Sequence, residues 1–195
     1  MHQVPLRYLV EHGLIWLLAL VIFAVPANAV SYKDYALGLV RNLPAGTAFR
    51  PDLEAQVAAL ASSYRVGQGK PALTADPMFL DAARAQAVDM MLHNFIGHRA
   101  STGQDFDSRM RAFVGDVTRF PALGENAAME SKSTPANSAK ARALFQEWLG
   151  SAPHRKNLRS LDYNFVSTGV VQRGNTIWAV QIFWATPREH GIFGN

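Results

Sequence analysis

Apolar residues recur at helical spacing through most of the chain and then change period near its end. After Pro51, the residues Leu53, Val57, Leu60, Ala61 and Tyr64 fall on one helical face, which predicts a helix closing before Gly67-Gln68-Gly69. A second helix is predicted from Asp76 as N-cap and Pro77 as first helical residue to about Asn94, with Leu80, Ala83, Ala87, Met90 and Met91 on its apolar face. Met90 and Met91 read as core filler. Phe106, Met110 and Phe113 mark a shorter helix stopped by Gly115, and a further helix starts at Thr134-Pro135 and stops at Gly150. Its inner face carries Ala141, Leu144, Phe145, Trp148 and Leu149, so Trp148 is expected to pack between helix and sheet. Ser151 is placed to cap a final short turn through Pro153 and His154.

The last part is β. Phe165 to Gln172 and Thr176 to Trp184 are rich in β-branched and aromatic residues, joined by Arg173-Gly174-Asn175 as a hairpin. Ile177, Ala179 and Phe183 alternate with Trp178, Val180, Ile182 and Trp184, so the second strand is apolar on both faces. A strand buried on both sides needs cover on both sides. Helices first and a hairpin last therefore predict an α+β fold, a three-layer α-β-α sandwich around a central, mainly antiparallel sheet. Residues 116–133 read as a long connection with one short strand at Asn126 to Met129. Residues 30–50, interrupted by Gly38, Pro44 and Gly46, read as an N-terminal arm laid over the domain, and 187–195 as a C-terminal tail.

The unbroken apolar run from Leu14 to Val25, followed by Ala27-Asn28-Ala29, changes the picture at the start. It reads as a secretory signal, residues 1–29, cleaved after Ala29. The alternative is an uncleaved membrane anchor, but the run is short of the roughly 20 residues a spanning helix needs, and Pro26 interrupts it. With 195 residues, 49% of them hydrophobic, the remainder suits one well-buried domain. The chain has no cysteine, so no disulfide framework stabilises it. A net charge of +4, with no basic block and no nucleic-acid motif, suggests solubility or loose association with an anionic cell surface, not nucleic-acid binding.

Three element boundaries each carry a ligand-type side chain: His98 in Gly97-His98-Arg99-Ala100-Ser101-Thr102-Gly103, Glu125 in Leu123-Gly124-Glu125-Asn126, and His154 in Ser151-Ala152-Pro153-His154-Arg155. Two imidazoles and one carboxylate are the right types for a divalent metal such as zinc, with a fourth position open to water. No H-E-x-x-H motif is present, so a shared site must be assembled from distant segments. The opposing expectation makes each a surface or capping residue. His93 reads as a surface or packing residue, Ser101 and Ser151 as turn or capping residues, and Asn126 and Asn157 as loop-fixing amides.

Leu80-x-x-Ala83-x-x-x-Ala87-x-Asp89-Met90, His98-Arg99-Ala100-Ser101-x-Gly103, Phe106-x-x-Arg109, Gly124-Glu125-Asn126, Trp148-x-x-Ser151-x-Pro153-His154-Arg155-x-Asn157-Leu158 and Trp178-x-x-Gln181-x-Phe183 occur in this order. The succession resembles the bacterial branch of the CAP superfamily, the SCP-like extracellular domains related to cysteine-rich secretory, antigen 5 and pathogenesis-related 1 proteins. The resemblance covers roughly Leu53 to Trp184 and places such a domain over residues 51–186. It implies the three-layer sandwich, export, and a central cleft in which His98, Glu125 and His154 are the matching residues. Many eukaryotic relatives place a second glutamate shortly after the helix tryptophan. Here Leu149-Gly150-Ser151 follows Trp148, and Glu147 precedes it, about 100° away around the helix.

Three functions compete: an exported binding module taking a lipid, glycan or peptide in the cleft without a required cofactor, a metal-dependent hydrolase using the same three residues, and a structural envelope protein with a vestigial cleft. The first is favoured by the aromatic-rich hairpin and the missing second glutamate. The hydrolase is handicapped because Glu125 cannot easily serve as both ligand and general base.

Overall fold

In the computed structural model, which describes residues 30–186, two helical layers enclose a five-stranded sheet. The elements in order are α1 (Tyr32–Arg41), β1 (Thr47–Phe49), α2 (Pro51–Gly67), β2 (Thr74–Ala75), α3 (Leu80–His93) and α4 (Phe106–Val114). They continue with β3 (Leu123–Glu130), α5 (Ser138–Gly150), α6 (Ala152–Arg159), β4 (Phe165–Arg173) and β5 (Thr176–Trp184). Strand order is β1-β4-β5-β3, antiparallel throughout, with β2 pairing parallel to the start of β4. The apolar run from Leu14 to Val25 and residues 187–195 lie outside the described residues.

The double-faced β5 has the cover its alternation demands. Ile177, Ala179 and Phe183 join Leu53, Val57, Ala61, Leu144, Phe145 and Trp148 in a core beneath α2, α5 and α6. Val180, Ile182 and Trp184 join Ala83, Ala87, Met90, Met91 and Met110 in a second core beneath α3 and α4. Gly169 on β4 lets α3 approach its strand closely, since a Cβ there would lie 2.5 Å from the Arg84 backbone nitrogen. Between β2 and β1 the outer edge of β4 has no strand partner. Glu54 closes the gap by accepting from Val170 N at 3.1 Å and, bidentately, from Arg84 at 2.8 and 2.7 Å, while Arg50 N donates to Val170 O.

Several boundaries differ from the sequence expectation, each for a local reason. Residues 30–50 contain a helix and a strand: Ser31 Oγ accepts from Asp34 N at 3.1 Å to start α1, and β1 joins the sheet. Helix α3 begins at Leu80, not Pro77, because Asp76 pairs through its backbone nitrogen with Val166 O while its side chain accepts from Met78 N. Ser167 Oγ takes the Phe79 N–H and donates to Asp76 O, which holds 76–79 to β4 as a turn. Helix α5 starts at Ser138, where Asn137 accepts from Ala139 N at 2.9 Å. Strand β3 is eight residues long, and α6 is a full helix, not a single turn.

Candidate functional site

Strand β3 lies at the sheet edge, and its alternation sends Glu125 toward α4 and Asn126 toward α6. Gly124, one position before Glu125, leaves room for Tyr163, since a Cβ there would sit 2.3 Å from the Tyr163 hydroxyl. Glu125 is buried, its side chain 2% exposed. Its Oε2 accepts from Arg109 Nη2 at 2.8 Å, and its Oε1 accepts from Arg109 Nη1 at 3.1 Å and from His98 Nδ1 at 2.9 Å. Arg109, completely buried on α4, also donates to His98 O at 2.8 Å and to the Tyr32 hydroxyl at 3.2 Å. One guanidinium thus fixes both the carboxylate and the backbone of the histidine that the carboxylate orients.

A carboxylate can only accept, so Nδ1 of His98 carries the proton and Nε2 is left as the free ring nitrogen. The hydrogen bond to Glu125 holds the His98 pKa above its ordinary value, against the opposing pull of burial. Burial works to raise the Glu125 pKa, but the Arg109 charge and the bonds from His98 and Arg109 outweigh it, and the group stays below the usual carboxylate range. His154 faces His98 edge-on, ring centroids 6.2 Å apart. Burial and then the His98 charge lower its pKa. The pair is therefore split: His98 takes a proton before His154 does.

Side-chain amides anchor the segments that bear both histidines, and a carboxylate adds to the hold on the His98 turn. Asn126 Nδ2 donates to His154 O at 3.2 Å, and Asn157 Nδ2 donates to Glu125 O at 3.0 Å and to Asn126 Oδ1 at 2.9 Å, fastening α6 to β3. Gln86 Nε2 donates to Gly97 O at 2.8 Å. The Asp89 carboxylate, on α3, accepts from Ser101 N at 2.8 Å, Ser101 Oγ at 2.6 Å and the Tyr35 hydroxyl at 2.8 Å, pinning the turn that bears His98, and His93 Nδ1 lies 2.8 Å from Asp89 Oδ1. The Tyr35 hydroxyl, its pKa pushed up to about 12, chiefly by burial, remains a donor.

The three residues singled out from the sequence, His98, Glu125 and His154, are thus brought together, but in unlike roles. Both Glu125 oxygens are occupied by Arg109 and His98, which leaves two imidazoles, one short of the three protein ligands of a catalytic zinc site. Among the described residues no group of three or more histidine, cysteine, aspartate or glutamate side chains is arranged to hold a metal ion. The donor set as placed does not fit zinc. Glu147 supplies no replacement, since it lies beside Glu130 at the far end of β3, where burial and the Glu130 charge raise its pKa. His93 pairs with Asp89, and Ser101 serves the turn. Arg109, Tyr32 and Asp89 also belong to the site. The motifs Phe106-x-x-Arg109 and Ala87-x-Asp89-Met90 mark two of them in the sequence, but their partners are set only by the fold.

The model of the cysteine-rich secretory protein family, CAP, matches residues 59–183. Among solved structures, an extracellular protein containing an SCP domain from Bacillus anthracis superposes with a TM-score of 0.57 at 24% identity. The similarity covers 71% of this chain and 45% of that one, so this chain spans less than half of that protein's length. An outer surface protein from Borrelia burgdorferi superposes with a TM-score of 0.59 at 15% identity, covering 72% of this chain and 98% of that one. At these identities the likeness speaks for the fold. No curated protein sequence matches the chain.

Proposed function

The chain belongs to the CAP family of cysteine-rich secretory proteins, and from that premise we propose that it is an exported binding module whose His98/His154 cleft holds a polar group of a lipid, glycan or peptide without breaking a bond. The observation that carries this reading is the full engagement of Glu125. A carboxylate whose two oxygens accept three charge-assisted bonds in a buried position is neither a free metal ligand nor a poised general base. What the cleft offers a ligand is the free Nε2 of His98, on a side chain 52% exposed, beside a second imidazole that burial keeps neutral to lower pH. One imidazole that readily carries charge next to one that resists it suits a ligand group with both acceptor and donor atoms. Export is supported by the apolar run ahead of Ala27-Asn28-Ala29 and by the likeness to an extracellular protein and an outer surface protein.

The test is a titration of tag-free, isotopically labelled protein with short peptides, cell-wall glycan fragments and single-chain lipids, following the His98 and His154 ring resonances. Shifts of both rings in the wild type, with the His154 shift lost in His98→Ala and no ligand turnover, are the expected result. A stoichiometric metal ion that co-purifies with the wild type and is lost from His98→Ala, or turnover of the ligand, overturns it in favour of the hydrolase.

A further inference from the structure

Arg65, at the last turn of α2, is 1% exposed and, among the described residues, forms no salt bridge. Its Nε donates to Pro71 O at 2.7 Å, Nη1 to Ser160 O, and Nη2 to Tyr163 O at 3.3 Å. These partners are neutral carbonyls. The acid closest in sequence, Asp162, instead accepts from Ser160 Oγ at 2.8 Å. The other buried arginine, Arg109, has its carboxylate, so the molecule treats its two buried guanidiniums differently. A buried cation is ordinarily paired with an acid; among the described residues Arg65 is not, and neither is Lys140, whose Nζ donates to Lys132 O and Asn175 O but which lines no such cavity. A guanidinium has five N–H donors, of which three are engaged, leaving two.

Arg65 lines a cavity of about 580 Å³ between the α2–β2 loop and the segment leading into β4. The charged residues lining it are Arg65 and Lys70, both cationic. Gln68, Thr74 and Asn164 add uncharged polar groups, and Leu161, Tyr163 and Phe165 add apolar surface. We propose that this cavity is a second binding site, distinct from the histidine cleft, for a small organic oxyanion, a carboxylate or phosphate carried on an apolar body. The oxyanion supplies the counter-charge that Arg65 lacks and draws Lys70 onto it, while the body lies against Leu161 and Tyr163. A concave site of this size, with convergent polar groups beside apolar surface, is of the kind that holds small ligands. Tyr163 also separates the two sites: its ring walls the cavity, and its hydroxyl donates to Leu123 O at 3.3 Å, beside Gly124 and Glu125.

Benzoate, phenyl phosphate, inorganic phosphate and neutral benzamide distinguish the contributions when titrated into the whole protein at low salt, followed by amide resonances. Benzoate or phenyl phosphate should shift residues 68–74 and 161–165, and whichever binds tighter names the headgroup. Benzamide and inorganic phosphate should each bind at least ten-fold more weakly, one lacking the charge and the other the body. Lys70→Gln, a substitution outside the core, should weaken the anion about five-fold or more and flatten its salt dependence. Arg65→Lys, which keeps the charge but loses the fork, provides a second variant, and His98→Ala should leave this binding unchanged. Equal binding of benzoate and benzamide, shifts scattered over the surface, or an unaltered affinity in Lys70→Gln overturns the proposal. Loss of binding in His98→Ala also overturns it, by moving the anion to the cleft.

Discussion

Arg109→Met tests the logic of the cleft most directly. The substitution keeps much of the side-chain volume and removes the charge that faces Glu125 across 2.8 and 3.1 Å, in a pair whose side chains are 0% and 2% exposed. Water cannot replace the lost partner there, so Glu125 is left as an uncompensated buried carboxylate, a situation that costs about 3–5 kcal/mol. The bonds to His98 O and the Tyr32 hydroxyl are lost as well, and about 1 kcal/mol each is the usual net worth of such bonds. The loss should depend on pH with a definite sign. Folding lowers the Glu125 pKa in the wild type, so the pair's contribution is present above the ordinary carboxylate pKa, about 4.3, and fades as pH falls through the folded-state value. In Arg109→Met the carboxyl pKa should rise instead, so the difference between the two proteins shrinks on acidification. Replacing both partners, Arg109→Met with Glu125→Leu, should recover most of the stability while freeing the His98 ring. Urea unfolding at pH 7 and at pH 4, for wild type, single and double variants, gives all three comparisons. A single-variant loss below about 1 kcal/mol at pH 7, or a double variant no more stable than the single, would refute the view that Arg109 exists to neutralise Glu125.

Trp148→Ala should cost about 3–5 kcal/mol, because the ring is completely buried between α5 and the sheet, whereas His154→Ala should cost less than about 1 kcal/mol; equal, large losses in urea unfolding would make His154 a structural residue. The His98 ring should titrate above the ordinary histidine value of about 6.5 by NMR, and Glu125→Gln should bring it down; an unchanged midpoint would break the link between the two residues. Since folding raises that pKa, the His98–Glu125 contribution to stability is complete below about pH 6.5 and is lost as pH rises through the folded-state value. Gly169→Ala should lose more stability than Gly124→Ala, since the first Cβ meets helix backbone at 2.5 Å and the second meets the far end of the Tyr163 side chain, which can shift as a whole; the reverse order of midpoints would show that α3 slides easily over β4.

Periodicity and element boundaries carried much of this protein. The two-faced alternation of Thr176–Trp184 required helices on both sides, because apolar side chains pointing both ways must be covered both ways, and the two cores are that requirement met. His98, Glu125 and His154 stood out because polar, ligand-type residues at the ends of apolar elements have no local packing role. The sequence could not show what those residues do, since roles depend on partners far along the chain. Glu125 became an orienting group because Arg109, sixteen positions earlier and on a different element, occupies its oxygens. The helix at Tyr32–Arg41 was not expected because Gly38, Pro44 and Gly46 punctuate that stretch, while contacts across 54 and 77 positions, Tyr35 to Asp89 and Tyr32 to Arg109, hold it in place. Helix α3 lost its expected first turn to β4, where Ser167 took the Phe79 N–H. Local propensity is decided by neighbours in sequence, whereas buried charges and unpaired backbone groups are satisfied by whatever the fold brings within 3 Å, and that is fixed only when the layers close.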